Sequence, residues 1–314
     1  MAEAKFGKMG AQLKHGYNSA TICESNMMMD IGIQVMSAGE KLTFNEQAKE
    51  VAYVILTGEV KISWENNTEV MKRTSLFDEN PSCLHVPLAT EVTIEAVVDS
   101  EVLIQKTEND TKFAPKFYHP EDVQADVFGG GVWSGTATRT VRTIFDYENA
   151  PYSNMVNGEV INSPGRWSSY IPHFHPQPEV YVYKFDRPQG FGAAFIGEDT
   201  FRTETNAYVA IPGGDIHPQV TAPGYAMWYS WMIRHLPDDP WAKTRIVCEE
   251  HAWLEEDGAE AKILEVAQKM CRFVKEHLDF DQLILESVAK TGARWIHVSY
   301  KATGNRREFF TLKR

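Results

Sequence analysis

From about residue 31 to residue 254 the chain is written in short apolar runs broken by turn residues, as in 51-VAYVILTGEVKISWE-65, 85-HVPLATEVTIEAVVDSEVLIQ-105 and 179-EVYVYKF-185. Runs of this length, rich in β-branched and aromatic residues, suit strands, and their steady recurrence is the rhythm of antiparallel β structure. Strand-like segments lie on both sides of 115-PKFYHPEDVQADVFGGGVWSG-135, whose prolines and glycines Gly129-Gly130-Gly131 read as a connector between two similar halves. A chain of 314 residues with 43% hydrophobic content can bury one large core or two moderate ones. The expected fold is therefore mainly β, with two consecutive barrels over residues 1–120 and 121–254.

Beyond residue 255 the texture changes. The segment 257-DGAEAKILEVAQKMCRFVKEHL-278 spaces Ile263, Val266, Ala267, Met270, Phe273 and Val274 by threes and fours, which predicts an amphipathic helix. A second helical piece over 281–290 and a strand over 294–301 complete a small α/β appendage, residues 255–314.

A net charge of −12 repels a phosphate backbone, and no basic run overrules it, so nucleic acid is excluded as a partner. No run of apolar residues is long enough for a membrane helix, and the N-terminus lacks the apolar core of a secretory signal. A soluble, cytoplasmic protein without membrane attachment is expected. The four cysteines, Cys23, Cys83, Cys248 and Cys271, form no CxxC pair and read as reduced packing residues.

The chemistry concentrates in 166-RWSSYIPHFHPQPEVYVYKF-185. Residues i and i+2 of a strand share a face, so His173 and His175 can grip one cation, with Glu179 following four residues later. A glycine turn, 212-PGGDIHPQ-219, delivers His217 from a neighbouring strand. Three imidazoles and a carboxylate leave room for water or substrate on a divalent metal, with Zn2+ placed first and Mn2+ or Fe2+ also fitting. Tyr181 and Tyr183 carry hydroxyls on the face of Glu179, and they and Tyr229 are the candidate proton carriers; each is otherwise a core residue. A metal-activated hydroxide is the alternative base. Phe185, Phe191 and Phe195 are expected to fill the barrel, and Lys184, of opposite parity, to be solvated or at an interface.

The H-x-H-x3-E element followed by P-x-G-x-x-H resembles the two-part signature of cupins, although Asn206 stands where a glycine is usual. The segments 73-RTSLF-77, 157-NGEVINSPGRWSSYIPHFH-175, 188-PQGFG-192, 217-HPQVTAPGYAMWYSWM-232 and 251-HAW-253 resemble the 5-deoxy-glucuronate isomerase family of inositol catabolism over roughly residues 15 to 254. That resemblance implies a bicupin, metal in the C-terminal barrel on His173, His175, Glu179 and His217, a metal-free N-terminal barrel and a homo-oligomer. It also implies an aldose–ketose isomerase making 5-dehydro-2-deoxy-gluconate from a small-molecule uronate, with Gln189 near the substrate. The chain departs from the family pattern at Arg166, Phe174 and Pro176. Arg166 is a candidate partner for the substrate carboxylate, with a surface salt bridge as the alternative. The competing readings are an isomerase of another uronate of the 4-deoxy-5-hexosulose-uronate type, an iron-dependent cupin dioxygenase and a non-catalytic sugar-acid-binding bicupin. The tail, 279-DFDQLILESVAKTGARWIHVSYKATGNRREFFTL-312, resembles the end of phage-type D-Ala-D-Ala carboxypeptidases, with His297 at the position of a zinc ligand but without the other ligands, which implies an inactive appendage.

Overall fold

The computed structural model describes residues 2–287 and 294–313. The apolar runs form two β-barrels in succession. The first is built on a nine-stranded sheet in which Lys49–Trp64, sixteen residues long, pairs in turn with Cys83–Val86, Ser100–Glu108, Asn67–Arg73 and Glu91–Ala96. The second is built on a seven-stranded sheet and a four-stranded sheet. Glu179–Phe185 and Met227–Arg234 pair at the centre of the seven-stranded sheet, with Ala207–Ile211 on the other side of Glu179–Phe185.

Two details depart from the reading of the sequence. The stretch around 115–135 is more than a connector, because Lys116–Tyr118 pairs with Cys83–Val86 in the first barrel while Gln124–Phe128 pairs with Arg139–Phe145 in the second. In addition, Phe6–Lys8 crosses over to pair with Ala207–Ile211, so the N-terminal residues complete the second barrel.

The strand sequences look continuously apolar because many strands are buried on both faces. All seven residues of Glu179–Phe185 are buried. Tyr181, Tyr183 and Phe185 point into the second barrel, beside Val209, Tyr229 and Trp231. Val180 and Val182 point outward and join Ile31, Ile33, Val54 and Leu103 of the first barrel in a core shared by the two barrels. Fully burying a side chain of this size contributes roughly 1.5–3 kcal/mol, so this shared face fixes the barrels to each other. Lys184 lies on the same outer face and pairs with Glu101 of the first barrel at 2.6 Å, the interface position its parity allowed.

The same shared face explains 73-RTSLF-77. Arg73, fully buried, grips both carboxylate oxygens of Glu159 at 2.6 and 2.7 Å, and Arg142 reaches Glu159 at 3.3 Å while donating to the carbonyls of Leu76 and Phe77.

The expectation for the phenylalanines is corrected in part. Phe185 is buried, but Phe191 is 37% exposed and Phe195 half-buried, because the strand Phe191–Ile196 turns Gly192, Ala194 and Ile196 inward instead. Phe195 stacks on Trp167 at 5.6 Å and Phe191 on the Arg202 guanidinium. Small residues at the first two inward positions, Gly192 and Ala194, let this strand approach its neighbour closely.

In the appendage the helix Ala259–His277 forms as predicted. It buries Cys271 and packs Val274 against the sheet, while Met270 and Phe273 are exposed; the side chains of Ile263, Val266 and Ala267 lie outside the described residues. The second helical piece is corrected: Gln282–Ser287 is a strand, antiparallel to Arg294–Ser299 and parallel to Glu308–Lys313, and residues 288–290 lie outside the described residues. Leu283 and Leu285 alternate toward the helix, a period-2 pattern that wins over local helix propensity once a partner strand exists. The four cysteines are free, and no helix among the described residues is long and apolar enough to cross a membrane.

Candidate metal centre and its cavity

Inside the second barrel the structure brings together His175, Glu179 and His217. Their ligand atoms all lie within 4.8 Å of one another, and Glu179 Oε2 is 3.3 Å from Nε2 of each histidine. The turn that delivers His217 is pinned to the other histidine, since the Gly214 amide donates to the His175 carbonyl at 2.8 Å. Gly214 has φ +92°, and a Cβ on Gly213 would meet the Pro176 carbonyl at 1.8 Å, so both glycines of 212-PGGDIH-217 are required by this turn.

His173, His175 and His217 share one device. The Nδ1 of each faces a backbone carbonyl, that of Ile171 at 2.8 Å, Gln177 at 2.8 Å and Asp215 at 3.0 Å. A carbonyl only accepts, so Nδ1 carries the hydrogen and Nε2 presents its lone pair, which is the orientation of a metal-bound imidazole. Burial pushes the His173 imidazole down to about 2 and lowers His217 below its ordinary value, so both are neutral. At the cluster, the lone pairs of His175 and His217 therefore meet a carboxylate oxygen with no hydrogen between them. Such a set of converging acceptors is relieved by a cation, and a donor spacing of about 3.3 Å equals the edge of a tetrahedron with bonds near 2.0–2.2 Å. The residues present fit a divalent metal. His173 is buried beside this trio, its ring centroid 4.9 Å from that of His217, but its ligand atom is outside the 4.8 Å group.

Two of the three candidate tyrosines line the cavity. Tyr181 shares a 3.0 Å hydrogen bond with Ser169 Oγ, and Tyr229 donates to Ser168 Oγ at 2.9 Å. The serines of 166-RWSSY-170 thus aim the two phenols. Burial raises both hydroxyls, Tyr229 to about 12, so at neutral pH they are protonated donors. Tyr183 is placed away from the cavity lining, its hydroxyl donating to Gln219 Oε1 at 2.6 Å, and Gln189 is exposed in the turn after Phe185. Arg166 is half-buried near Gly135 and is not part of the lining either.

The cations at the cavity are two residues the sequence reading passed over. Arg139 and Arg245 line both the inner cavity of about 130 Å³, which holds the cluster, and an outer hollow of about 530 Å³ walled by Trp133, Tyr170 and residues 254–259. The signal for Arg139 was available: in 139-RTVRTIF-145 two arginines of opposite parity interrupt a buried strand, which demands a reason for each. Arg142 serves the barrel interface and Arg139 the cavity. Arg245 sits just before the short strand Ile246–Val247, which pairs with His173–Phe174 and so ties this arginine to the ligand segment.

Comparison with known proteins agrees with the double barrel. The model of the KduI/IolB family matches residues 5–254. A 5-deoxy-glucuronate isomerase of Geobacillus kaustophilus is 26% identical over 239 residues, covering 67% of this chain and 83% of that protein. One from Bacillus velezensis is 24% identical over 265 residues, covering 75% of this chain and 94% of that protein. Among solved structures, an IolB-like protein from Salmonella typhimurium superposes with a TM-score of 0.73 at 19% identity, over 81% of this chain and all of that one. An oxalate decarboxylase from Lactobacillus farciminis gives 0.59 at 9% identity, over 86% and 96% of the two chains. The fold is a bicupin with an α/β appendage.

Proposed function

This chain belongs to the KduI/IolB family over residues 5–254, and from that premise we propose that it is a metal-dependent aldose–ketose isomerase that converts 5-deoxy-glucuronate to 5-dehydro-2-deoxy-gluconate in inositol catabolism. The names of its curated relatives support the reaction. The observation that carries the chemistry is the convergence of His175, Glu179 and His217 with their hydrogens turned away.

In this reading His175, Glu179 and His217 hold one divalent metal, Zn2+ as the redox-inert choice, and His173 completes the set. When bound, the metal supplies Lewis acidity at the substrate carbonyl. The remaining work falls to the chain. Moving a hydrogen between adjacent carbons needs a base that takes the proton from one carbon and returns it to the other, and an acid at the carbonyl oxygen; Tyr181 and Tyr229, held protonated by burial and aimed by Ser169 and Ser168, would serve as the acid only. Tyr183 packs behind them. The first barrel, residues 1–120 apart from the strand Phe6–Lys8, is structural, residues 121–254 carry the site, and residues 255–314 are an appendage without chemistry of their own. The protein works in the cytoplasm as a homo-oligomer.

The test is to incubate the metal-loaded protein with 5-deoxy-glucuronate and follow the ketose by NMR. Ketose formation that disappears in His217→Ala supports the assignment. No ketose from protein with a full complement of metal overturns the choice of substrate and directs attention to other uronates.

A further inference from the structure

The substrate proposed above has a reacting carbonyl at one end and a carboxylate at the other, yet none of the residues first singled out for that carboxylate reaches the cavity. We infer that Arg139 and Arg245 form the carboxylate subsite, a two-guanidinium neck between the inner cavity and the outer hollow. The inference rests on the uronate reading for the identity of the ligand, but its observations are independent of it.

The two guanidiniums are held as a pair. Arg139 Nη2 and Arg245 Nη2 each donate to the Tyr170 carbonyl at 3.3 Å, and Arg139 Nη1 donates to the Ala137 carbonyl at 3.0 Å. Two like charges sharing one neutral acceptor repel each other, and among the described residues neither has a carboxylate within salt-bridge distance. Glu255, Glu256 and Asp257 line the outer hollow without making such a contact. In a chain with net charge −12, two guanidiniums that make no ion pair, with only the more distant charges of Glu255 and Glu179 acting on Arg245, form a site that can take an anion. Guanidinium geometry suits a carboxylate, which can take two parallel N–H donors.

Position agrees with charge. Arg139 and Arg245 are the only arginine or lysine residues that line the inner cavity, among the described residues. Its 130 Å³ is well under the ~300–1,000 Å³ of ordinary small-molecule sites, so a sugar acid with its carbonyl end at the cluster must extend past the arginines toward the outer hollow. Arg245 Nη2 lies 3.3 Å from His173 Nδ1, which places it one imidazole's width from the lone pair that His173 turns inward. Because that Nδ1 already donates its hydrogen to the Ile171 carbonyl, it offers Arg245 no lone pair. The Arg245 fork is therefore under-used in this structure and has donors to spare for the far end of a short ligand.

Calorimetry with D-gluconate, which carries the carboxylate but cannot isomerise, against sorbitol, its uncharged counterpart, tests the subsite without turnover. The metal-loaded wild type is expected to bind gluconate and not sorbitol, and Arg245→Gln, at a solvent-accessible position, to weaken gluconate binding roughly ten- to hundred-fold. Arg139→Lys, which keeps the charge and the fold but loses the fork, is expected to weaken it less than Arg139→Gln. Steady-state kinetics with 5-deoxy-glucuronate should show the loss in KM first. Equal gluconate affinity in wild type and Arg245→Gln, with both melting at the same temperature, overturns the subsite even if the isomerase reaction is confirmed. Arginine-dependent gluconate binding in a protein that fails to isomerise the uronate leaves the subsite standing and removes the reaction assigned above.

Discussion

Glu159→Gln tests whether the two barrels are locked by charge as well as by apolar contact. Glu159 is 1% exposed and accepts two short bonds from Arg73 and one from Arg142, while the two guanidiniums have only backbone carbonyls as further partners. Glutamine keeps the shape but withdraws the buried negative charge that both guanidiniums contact, leaving two buried cations beside each other. Breaking a buried pair in this way costs about 3–5 kcal/mol, because the uncompensated charge remains. At roughly 2–4 °C per kcal/mol for a chain of this size, the melting temperature should fall by about 6–20 °C, read by differential scanning calorimetry. The neighbouring Val160 faces the metal cavity from the same strand, so a smaller loss of metal affinity should accompany the change. A fall of less than about 2 °C refutes the reasoning and assigns the interface to its apolar core alone. Arg73→Met should then also be tolerated.

Other consequences follow from the site. Tyr181→Phe removes a hydroxyl that burial keeps protonated, so kcat should fall roughly 10²- to 10⁴-fold with KM little changed, and the wild-type rate should show no tyrosine ionisation below pH 10. His173 and His217 have folded values below the ordinary imidazole, so the unfolded chain takes protons that the fold refuses; stability is complete above about pH 6.5 and is lost as the pH falls below it, which melting curves at pH 8 and pH 5.5 will show. A melting temperature that is flat over that interval contradicts the neutral assignment. His297 is exposed in the appendage beside Glu286, so His297→Ala should leave both turnover and metal content unchanged.

The convergence of His175 with Glu179 and the double barrel were legible because both are written in the spacing: a histidine and a glutamate four apart on one segment of the chain, and strands recurring between turns. What was hidden depended on which strand becomes whose neighbour. Phe6–Lys8 gives no sign that it will pair with Ala207–Ile211, some two hundred residues away. Phe191 and Phe195 read as core by type, yet Gly192 and Ala194 took the inward positions since close packing there favours the absence of bulk. The piece 281–290 held too few apolar residues to separate helix from strand, and its two partner strands decided it over Gln282–Ser287. Arg166 lies beside the motif yet outside the cavity lining; Arg139 stands out as a charge within a barrel strand, but that Arg245 meets it at the cavity depends on where a later loop returns, which no local pattern states.

The central claim is that one divalent cation on the His175, Glu179 and His217 cluster supports isomerisation in the second barrel. It is tested most directly by stripping the protein with a chelator and restoring Zn2+ stepwise while measuring ketose formation from 5-deoxy-glucuronate. The account predicts that turnover vanishes in the stripped protein and returns linearly to saturate at one equivalent, in the wild type and not in His175→Ala. Full turnover in metal-free protein, or restoration that is equal in His175→Ala, contradicts it.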